Sequence, residues 1–459
     1  MWRTTLAFLL LVVGLFLMAA RQRPESSQPL VAPTPPMGWN SWDCYAMTIN
    51  ESELKANAQW LSRHLKQFGW QYIVVDEGWY LKNPGASACS ELQFTLSNDG
   101  RYLPASNRFP SSAEGAGFKP LADYAHSLGL KFGLHIVHGI PREAVAKNLP
   151  IADSSFRAVD AANLSDTCPW DCHNYGVKAT PAGQAYYDSV AKLYAGWGLD
   201  LLKVDCIASQ PYNLDEIRMI SLALKKTGRP IVLHVSPGPT PLVNADEVGR
   251  YAQMLRIADD FWDYWGPLNK AGDPGGQSLY GQFATAVGWA PHIAPDHWAD
   301  GGVMPIGYLG PRPGSGPPRW TRFTHDEQRT LLTLWSIFRS PLTIGGDLLH
   351  NDEWTISLLT NAEIISIDQH STGNQPVIVT DNIVIWRSRP EAAPGYYFAI
   401  FNRGDAANTV RYAWNELGLA SKAYRVRDLW EHKELGTAAS LKLTLPPHAC
   451  VAYRVVEGD

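Results

Sequence analysis

The sequence predicts an α/β protein, a (β/α)8 TIM barrel followed by a C-terminal antiparallel β-sandwich. Three observations lead there. Apolar strand-like runs alternate with amphipathic helical stretches over most of the chain; the runs end in polar or charged residues; and near residue 372 the helical pattern gives way to short alternating runs. Strands separated by helices are parallel, and polar side chains gathered at strand C-termini mark the active face of a closed barrel.

The strand-like runs are Trp70 to Asp76, Lys131 to Val137, Leu199 to Asp205, Pro230 to Val235 and Met254 to Asp259. Between them lie helical patterns at Glu53 to Phe68, Phe118 to Leu128, Ala182 to Trp197 and Leu214 to Lys226. A doubly wound open sheet is the rival fold, and it loses ground because no Gly-rich nucleotide loop follows any strand. The β-sandwich is predicted from the runs Val377 to Thr380, Ile383 to Ser388, Tyr396 to Phe401, Thr409 to Ala413, Tyr424 to Leu429 and Cys450 to Val455, separated by turn residues. The barrel is assigned to 33–371 and the sandwich to 372–459, with packing on the barrel as the sandwich's role.

Length and composition bound the function. A chain of 459 residues, 45% hydrophobic and 18% charged, buries a large core and has room for more than one domain. A net charge of -5 without a basic run argues against nucleic-acid binding. The 18 tryptophans and 19 tyrosines suit the apolar faces of sugar rings, although most aromatic residues of a large enzyme are core.

The N-terminus reads as an export signal over 1–20: Arg3 is the positive region, Leu6 to Met18 the apolar region, and Ala19-Ala20 the small residues for cleavage. The apolar run is shorter than the about 20 residues of a membrane span. Met18 stands where a small residue usually precedes the cut, so an uncleaved anchor is the alternative. Pro, Ser and Gln make 21–32 a flexible leader, and the expected location is secreted or periplasmic.

An oxidising compartment agrees with the six cysteines. Cys168 and Cys172 are expected to close a small loop, and Cys44 to reach Cys89 across neighbouring strand ends. Cys206 is read as a small residue packed behind Asp205 in preference to a catalytic thiol. Zinc is disfavoured because Cys-x3-Cys has no second paired cluster. His135 and His138 raise a metal reading, but no third ligand is matched to them, and neither metal nor cofactor is expected.

Two acidic strand ends carry the chemistry, Leu201-Leu202-Lys203-Val204-Asp205 and Met254-Leu255-Arg256-Ile257-Ala258-Asp259-Asp260. Each joins an apolar run to a carboxylate with a cation nearby. Double displacement on a sugar needs this pairing, one carboxylate ionised as nucleophile and another holding a proton for the leaving group. A carboxylate after Ile73-Val74-Val75 is costly to place unless paired or functional, which singles out Asp76.

Together, Pro35-Pro36-Met37-Gly38-Trp39-Asn40-Ser41-Trp42, Val74-Val75-Asp76-Glu77-Gly78-Trp79, Lys203-Val204-Asp205, Arg256 to Asp260 and Leu334 to Leu342 resemble glycoside hydrolase family 27. This is the α-galactosidase and α-N-acetylgalactosaminidase family of the melibiase clan, and the resemblance is to a bacterial-type member. It spans roughly Pro33 to Gln369 and extends more weakly into the sandwich. It implies Asp205 as nucleophile and Asp260, four residues after the arginine, as acid/base, with Asp259 the alternative. It further implies that Lys203 and Arg256 contact sugar hydroxyls, that Asp76 accepts hydrogen bonds from the C4 and C6 hydroxyls, and that Trp42 packs on that end of the ring.

Departures from the family pattern bear on the substrate. Glu77 stands where a second aspartate is common, and its extra methylene pushes a carboxylate towards the space of a galactose C6 hydroxymethyl. β-L-Arabinopyranose is α-D-galactopyranose without that carbon, and the family includes enzymes for it. His135 replaces a frequent tyrosine and reads as a pocket-lining donor; Ser236 replaces an acidic O2 contact; Gly302 replaces an aspartate. The expected function is a retaining exo-glycosidase on oligosaccharide or polysaccharide, α-galactosidase by default. A β-L-arabinopyranosidase or an isomaltose-releasing α-glucan hydrolase is the alternative, and a non-catalytic carbohydrate-binding protein a remote one.

Overall fold

The computed structural model describes residues 29–209, 211–266 and 277–458, so the export-signal reading of 1–20 falls outside the described residues. Eight parallel strands form one curled sheet: β1 (Met37–Asn40), β2 (Tyr72–Val75), β3 (Lys131–Val137), β4 (Leu201–Asp205), β5 (Val232–Val235), β6 (Met254–Arg256), β7 (Trp298–Asp300) and β8 (Leu342–Ile344). From β1 to β7 each pairs with its sequence neighbour, and β8 returns to lie beside β1. The ring closes beyond β7, where Met304 bridges Ile344 in parallel; Met304 N–H donates to Thr343 O at 2.7 Å and Gly345 N–H to Met304 O at 2.9 Å.

The strands are shorter than the apolar runs that announce them. Proline at 230 brings no N–H to a ladder, and β5 opens at Val232. β6 stops at Arg256, so Asp259 and Asp260 lie on the loop beyond it. Close backbone approach explains one glycine of the first motif, since a Cβ at Gly38 would fall 2.3 Å from Tyr72 O.

The covering helices start and stop on local signals. In α1 (Glu51–His64) the Asn50 side chain accepts from Glu53 N–H while Glu53 accepts from Asn50 N–H, and the predicted last turn is instead a 3-10 segment, Lys66–Phe68, closed by left-handed Gly69. Two further helices are α2 (Lys119–Ser127) and α3 (Pro181–Trp197), the latter capped by Thr180, with proline at its first position and left-handed Gly198 after its last. The next, α4 (Leu214–Lys226), has Asn213 as cap, Asp215 and Glu216 in its first turn and Lys225 and Lys226 in its last, matching the helix dipole. Another, α5 (His325–Phe338), is almost wholly buried between barrel and sandwich.

The antiparallel domain has a six-stranded sheet and a two-stranded one. The large sheet runs Ser371–Val379, Ile383–Pro390, Tyr396–Asn402, Cys450–Glu457, Tyr424–Asp428, Lys433–Ala438 in spatial order, and Asn408–Ala413 pairs with Ser440–Leu445 in the small sheet. Ile385, Phe398, Ile400, Trp414 and Leu441 fill the space between them. Against the barrel, Trp430 Nε1 donates to Thr333 Oγ1 at 2.9 Å, and Arg427 binds Glu363 through two hydrogen bonds of 2.7 and 2.8 Å.

The cysteines pair differently from the sequence expectation. Cys89 bonds Cys172 and Cys168 bonds Cys206, while Cys44 and Cys450 are free and buried. Cys168 and Cys172 flank a buried Asp171 and turn towards different elements, and Cys44 is enclosed in the core beside Ser41. Cys206 does pack behind Asp205, as half of a disulfide. Among the described residues no helix is long and apolar enough to cross a membrane.

Candidate active site

Strand alternation decides which side chains meet at the C-terminal end of the barrel. Lys203 and Asp205 are two apart on β4 and share a face, and parallel pairing sets His135 of β3 beside Lys203 and Asp300 of β7 beside Arg256 of β6. Asp76 follows β2 directly, across from Asn40 at the end of β1.

Asp76 is the most heavily held group. Its Oδ2 accepts from Asn40 Nδ2 at 2.7 Å and Lys203 Nζ at 2.9 Å, its Oδ1 accepts from Glu77 N–H at 2.9 Å, and its own N–H donates to Ser41 Oγ at 3.0 Å. Burial alone would raise the carboxyl's pKa, but the Lys203 and His135 charges and these donors hold it below the ordinary carboxylate range. Next to it, Glu77 is buried without such donors. Burial, with the charges of Asp205, Asp171 and Asp76, pushes Glu77 up to about 8 despite His135.

Asp205 keeps its charge by a different route. Cys206 N–H donates to Oδ1 at 2.6 Å and His135 Nε2 lies 3.1 Å from Oδ2. Burial opposes ionisation, and the His135 hydrogen bond and charge, with Lys203, bring the carboxyl below its ordinary value. Cys206 adopts a left-handed backbone (φ 59°) directly after the strand, so the chain turns away at Asp205.

Arg256, buried, gathers the second acidic group. Its Nη2 donates to Asp259 O at 2.6 Å and to Asp260 Oδ1 at 3.3 Å. The Asp260 side chain is 55% exposed, against 14% for Asp205, so one carboxylate faces the mouth and the other the interior. Asp259 thus presents its backbone to the arginine where Asp260 presents its carboxylate.

Trp42 is half-buried, and a Cβ at Gly314 would come within 2.6 Å of its Nε1, so that loop backs the indole. Ser236 is buried after β5, its N–H donating to Val204 O at 2.8 Å, ahead of a cis peptide bond to Pro237. Gly302 has φ 113°, and a Cβ there would meet Phe261 Cβ at 3.0 Å, so a side chain at this position would be strained on this backbone. His135 and His138 belong to separate groups, the first with Glu77 and Asp205, the second with Asp166 and Glu216.

Sequence reasoning missed two carboxylates. Asp43 is buried, its Oδ2 has no hydrogen-bond partner, and burial together with the Asp260 charge pushes it up to about 8. Its signal was adjacency to Trp42, where the quoted motif stopped. Asp300 lies 2.8 Å from His234 Nε2 and is held below its ordinary value, against burial, by His234 and Arg256; a polar residue ending Trp298-Ala299-Asp300 was the available signal.

Comparison with known proteins agrees with this geometry. Residues 167–370 match the family described as Alpha galactosidase A, and 380–455 the Alpha galactosidase C-terminal beta sandwich domain. A β-L-arabinopyranosidase of Geobacillus stearothermophilus is 43% identical, covers 93% of this chain and 97% of its own, and superposes with a TM-score of 0.87. The rice α-galactosidase is 26% identical over 94% of this chain and 87% of its own, and α-galactosidase A of Cellvibrio japonicus 25% over 97% and 98%. An Asp-rich barrel mouth on this fold, matched along nearly its whole length, makes the chain a member of glycoside hydrolase family 27 and a carbohydrate-directed glycosidase.

Proposed function

We propose that the enzyme removes terminal β-L-arabinopyranosyl residues from oligosaccharides or polysaccharides with retention of configuration. The observation that carries the reading is Glu77, a buried carboxyl next in the chain to Asp76 and grouped with His135 and Asp205. An aspartate there would end one methylene earlier and leave room for a hydroxymethyl group; the glutamate fills that room, and arabinopyranose needs none. The Geobacillus stearothermophilus relative bears an arabinopyranosidase name, and a variant of it has been crystallised in complex with arabinose.

In this reading Asp205, ionised and oriented by His135 and Cys206, attacks the anomeric carbon and displaces the aglycone oxygen, which takes its proton from Asp260. Asp260 then removes a proton from water, the water oxygen bonds to the anomeric carbon, and the Asp205 carboxylate departs with its electron pair. Lys203 and Asp76 hold hydroxyls at the inner end of the ring, and Arg256 steadies the charge between the two carboxylates. The two disulfides suit a secreted or periplasmic protein exported through 1–20.

The test is a panel of nitrophenyl β-L-arabinopyranoside, α-D-galactoside and α-D-glucoside with wild type, Glu77→Asp and Asp205→Ala. Wild type favours the arabinopyranoside, Glu77→Asp raises the galactoside to arabinoside ratio of kcat/KM by at least roughly tenfold, as removal of a steric conflict of one or two methylenes does, and Asp205→Ala is inactive. A wild type that prefers galactoside with a ratio unmoved by Glu77→Asp sinks the substrate assignment.

A further inference from the structure

His135 is placed to act on the nucleophile itself. On the third barrel strand, paired with Lys203 and so two register positions before Asp205 on the fourth, its side chain is 1% exposed, and its backbone carbonyl accepts from Trp79 Nε1 at 2.7 Å. Nε2 lies 3.1 Å from Asp205 Oδ2, whereas Nδ1 is buried with no hydrogen-bond partner, so among polar contacts Asp205 alone orients the ring. The charged and titratable groups facing it are Asp76, Glu77, Lys203 and Asp205. Asp76 and Lys203 are already paired at 2.9 Å, and the Asp205 carboxylate and the imidazole form a second pair beside them, with Glu77 the third carboxyl of the group.

We propose that His135 is a positioning residue that, carrying a proton, sets the geometry of Asp205 and speeds departure of the Asp205 carboxylate in the second step of the reaction. The proposal rests on the retaining mechanism given above. In the glycosyl-enzyme Asp205 is an ester and has lost its charge. As the bond between the anomeric carbon and Asp205 oxygen breaks, the electron pair returns to the carboxylate and negative charge develops beside the imidazolium. Water supplies the new bond at carbon and Asp260 takes its proton, so His135 gains and loses nothing; it stabilises charge where charge appears. In the free enzyme burial disfavours the imidazolium, and Asp76 together with the Asp205 hydrogen bond raises its pKa above the ordinary histidine value. In the glycosyl-enzyme Asp76 keeps its charge and is what favours the proton until negative charge returns to Asp205. Rising pH therefore removes the proton and slows this step.

The test uses dinitrophenyl β-L-arabinopyranoside, whose leaving group needs no general acid, so that kcat reports the second step and Asp260 contributes only an acidic limb. Wild type loses kcat on the alkaline side. His135→Gln lowers kcat by roughly 10- to 100-fold, the span of a hydrogen bond to a charged group, shifts KM far less, and has no alkaline limb. His135→Tyr keeps a donor towards Asp205, recovers part of kcat, and is also flat. Glu77→Gln retains the limb, which separates the two groups. An alkaline limb that persists in His135→Gln, or a wild-type profile flat from pH 6 to roughly 9, overturns the proposal, and the wild-type measurement stands even if a variant fails to fold. Turnover of the dinitrophenyl α-galactoside but not the arabinopyranoside defeats the substrate reading alone, and the same pH comparison then runs on the galactoside.

Discussion

Lys203 Nζ lies 2.9 Å from Asp76 Oδ2, and both side chains are buried, so each is the other's principal counter-charge within the barrel mouth. Truncating one partner of such a pair leaves a lone buried charge. Lys203→Met is expected to cost about 3 to 5 kcal/mol of stability and to lower kcat/KM, measured by denaturant unfolding and by kinetics. Asp76→Asn removes the lysine's nearest counter-charge, leaving only the Asp205 and Asp260 charges to offset it, and has the same sign. A loss of less than about 1 kcal/mol in both would show that the pair behaves like a solvent-exposed one.

The same pair ties stability to acid. The folded-state pKa of Asp76 lies below its unfolded value of 3.8, so its contribution is complete above that value and disappears as pH falls through the folded pKa. Wild type is expected to lose melting temperature steeply below about pH 4, and Asp76→Asn to lose less over that interval. Parallel slopes for the two proteins would place the acid sensitivity elsewhere.

Glu77 and Asp43 have the opposite linkage. Both carboxyls are raised to about 8, so their stabilising protonation is complete below the unfolded values of 4.5 and 3.8 and is lost as pH rises through the folded values. Each costs up to about 1.4 kcal/mol per pH unit between those limits. Glu77→Gln and Asp43→Asn should therefore raise the melting temperature relative to wild type more at pH 8 than at pH 5. A pH-independent offset would show that neither group is held neutral.

Cys206 is bonded to Cys168 while its N–H orients Asp205. A double Cys168→Ser, Cys206→Ser variant should lose about 3 kcal/mol of stability, as expected for a bridge closing a loop of this size, and should lose kcat more than it raises KM. Unchanged kcat with lowered stability would confine the bridge to a structural role.

Much of this was legible because barrel chemistry concentrates at strand ends. The runs ending in Asp76, Lys203 to Asp205 and Arg256 announced both the strands and their functional side chains, and alternation brought Lys203 and Asp205 to one face. Strands β1, β7 and β8 lie in no longer apolar run, since proline comes directly before β1 and β8 and glycine directly after β7 and β8, so periodicity does not read them. The sandwich strand Lys433–Ala438 was hidden because it is almost wholly exposed and contains Gly436 in a left-handed conformation. Disulfide partners were unreadable because proximity of Cys168 and Cys172 in the chain says nothing about which way each Sγ turns. Asp43 was invisible because a carboxylate in a short helix normally signals a solvent-facing first turn.

The parallel bridge from Met304 to Ile344 gives the barrel a clasp in place of a full eighth ladder. Seven walls are sewn along their length and one is buttoned at a single point, just past the strand that sets Asp300 beside Arg256. The ring is thus held by the fewest backbone bonds at one seam beyond the strand that bears Asp300, while the wall bearing Asp205 is stitched on both sides.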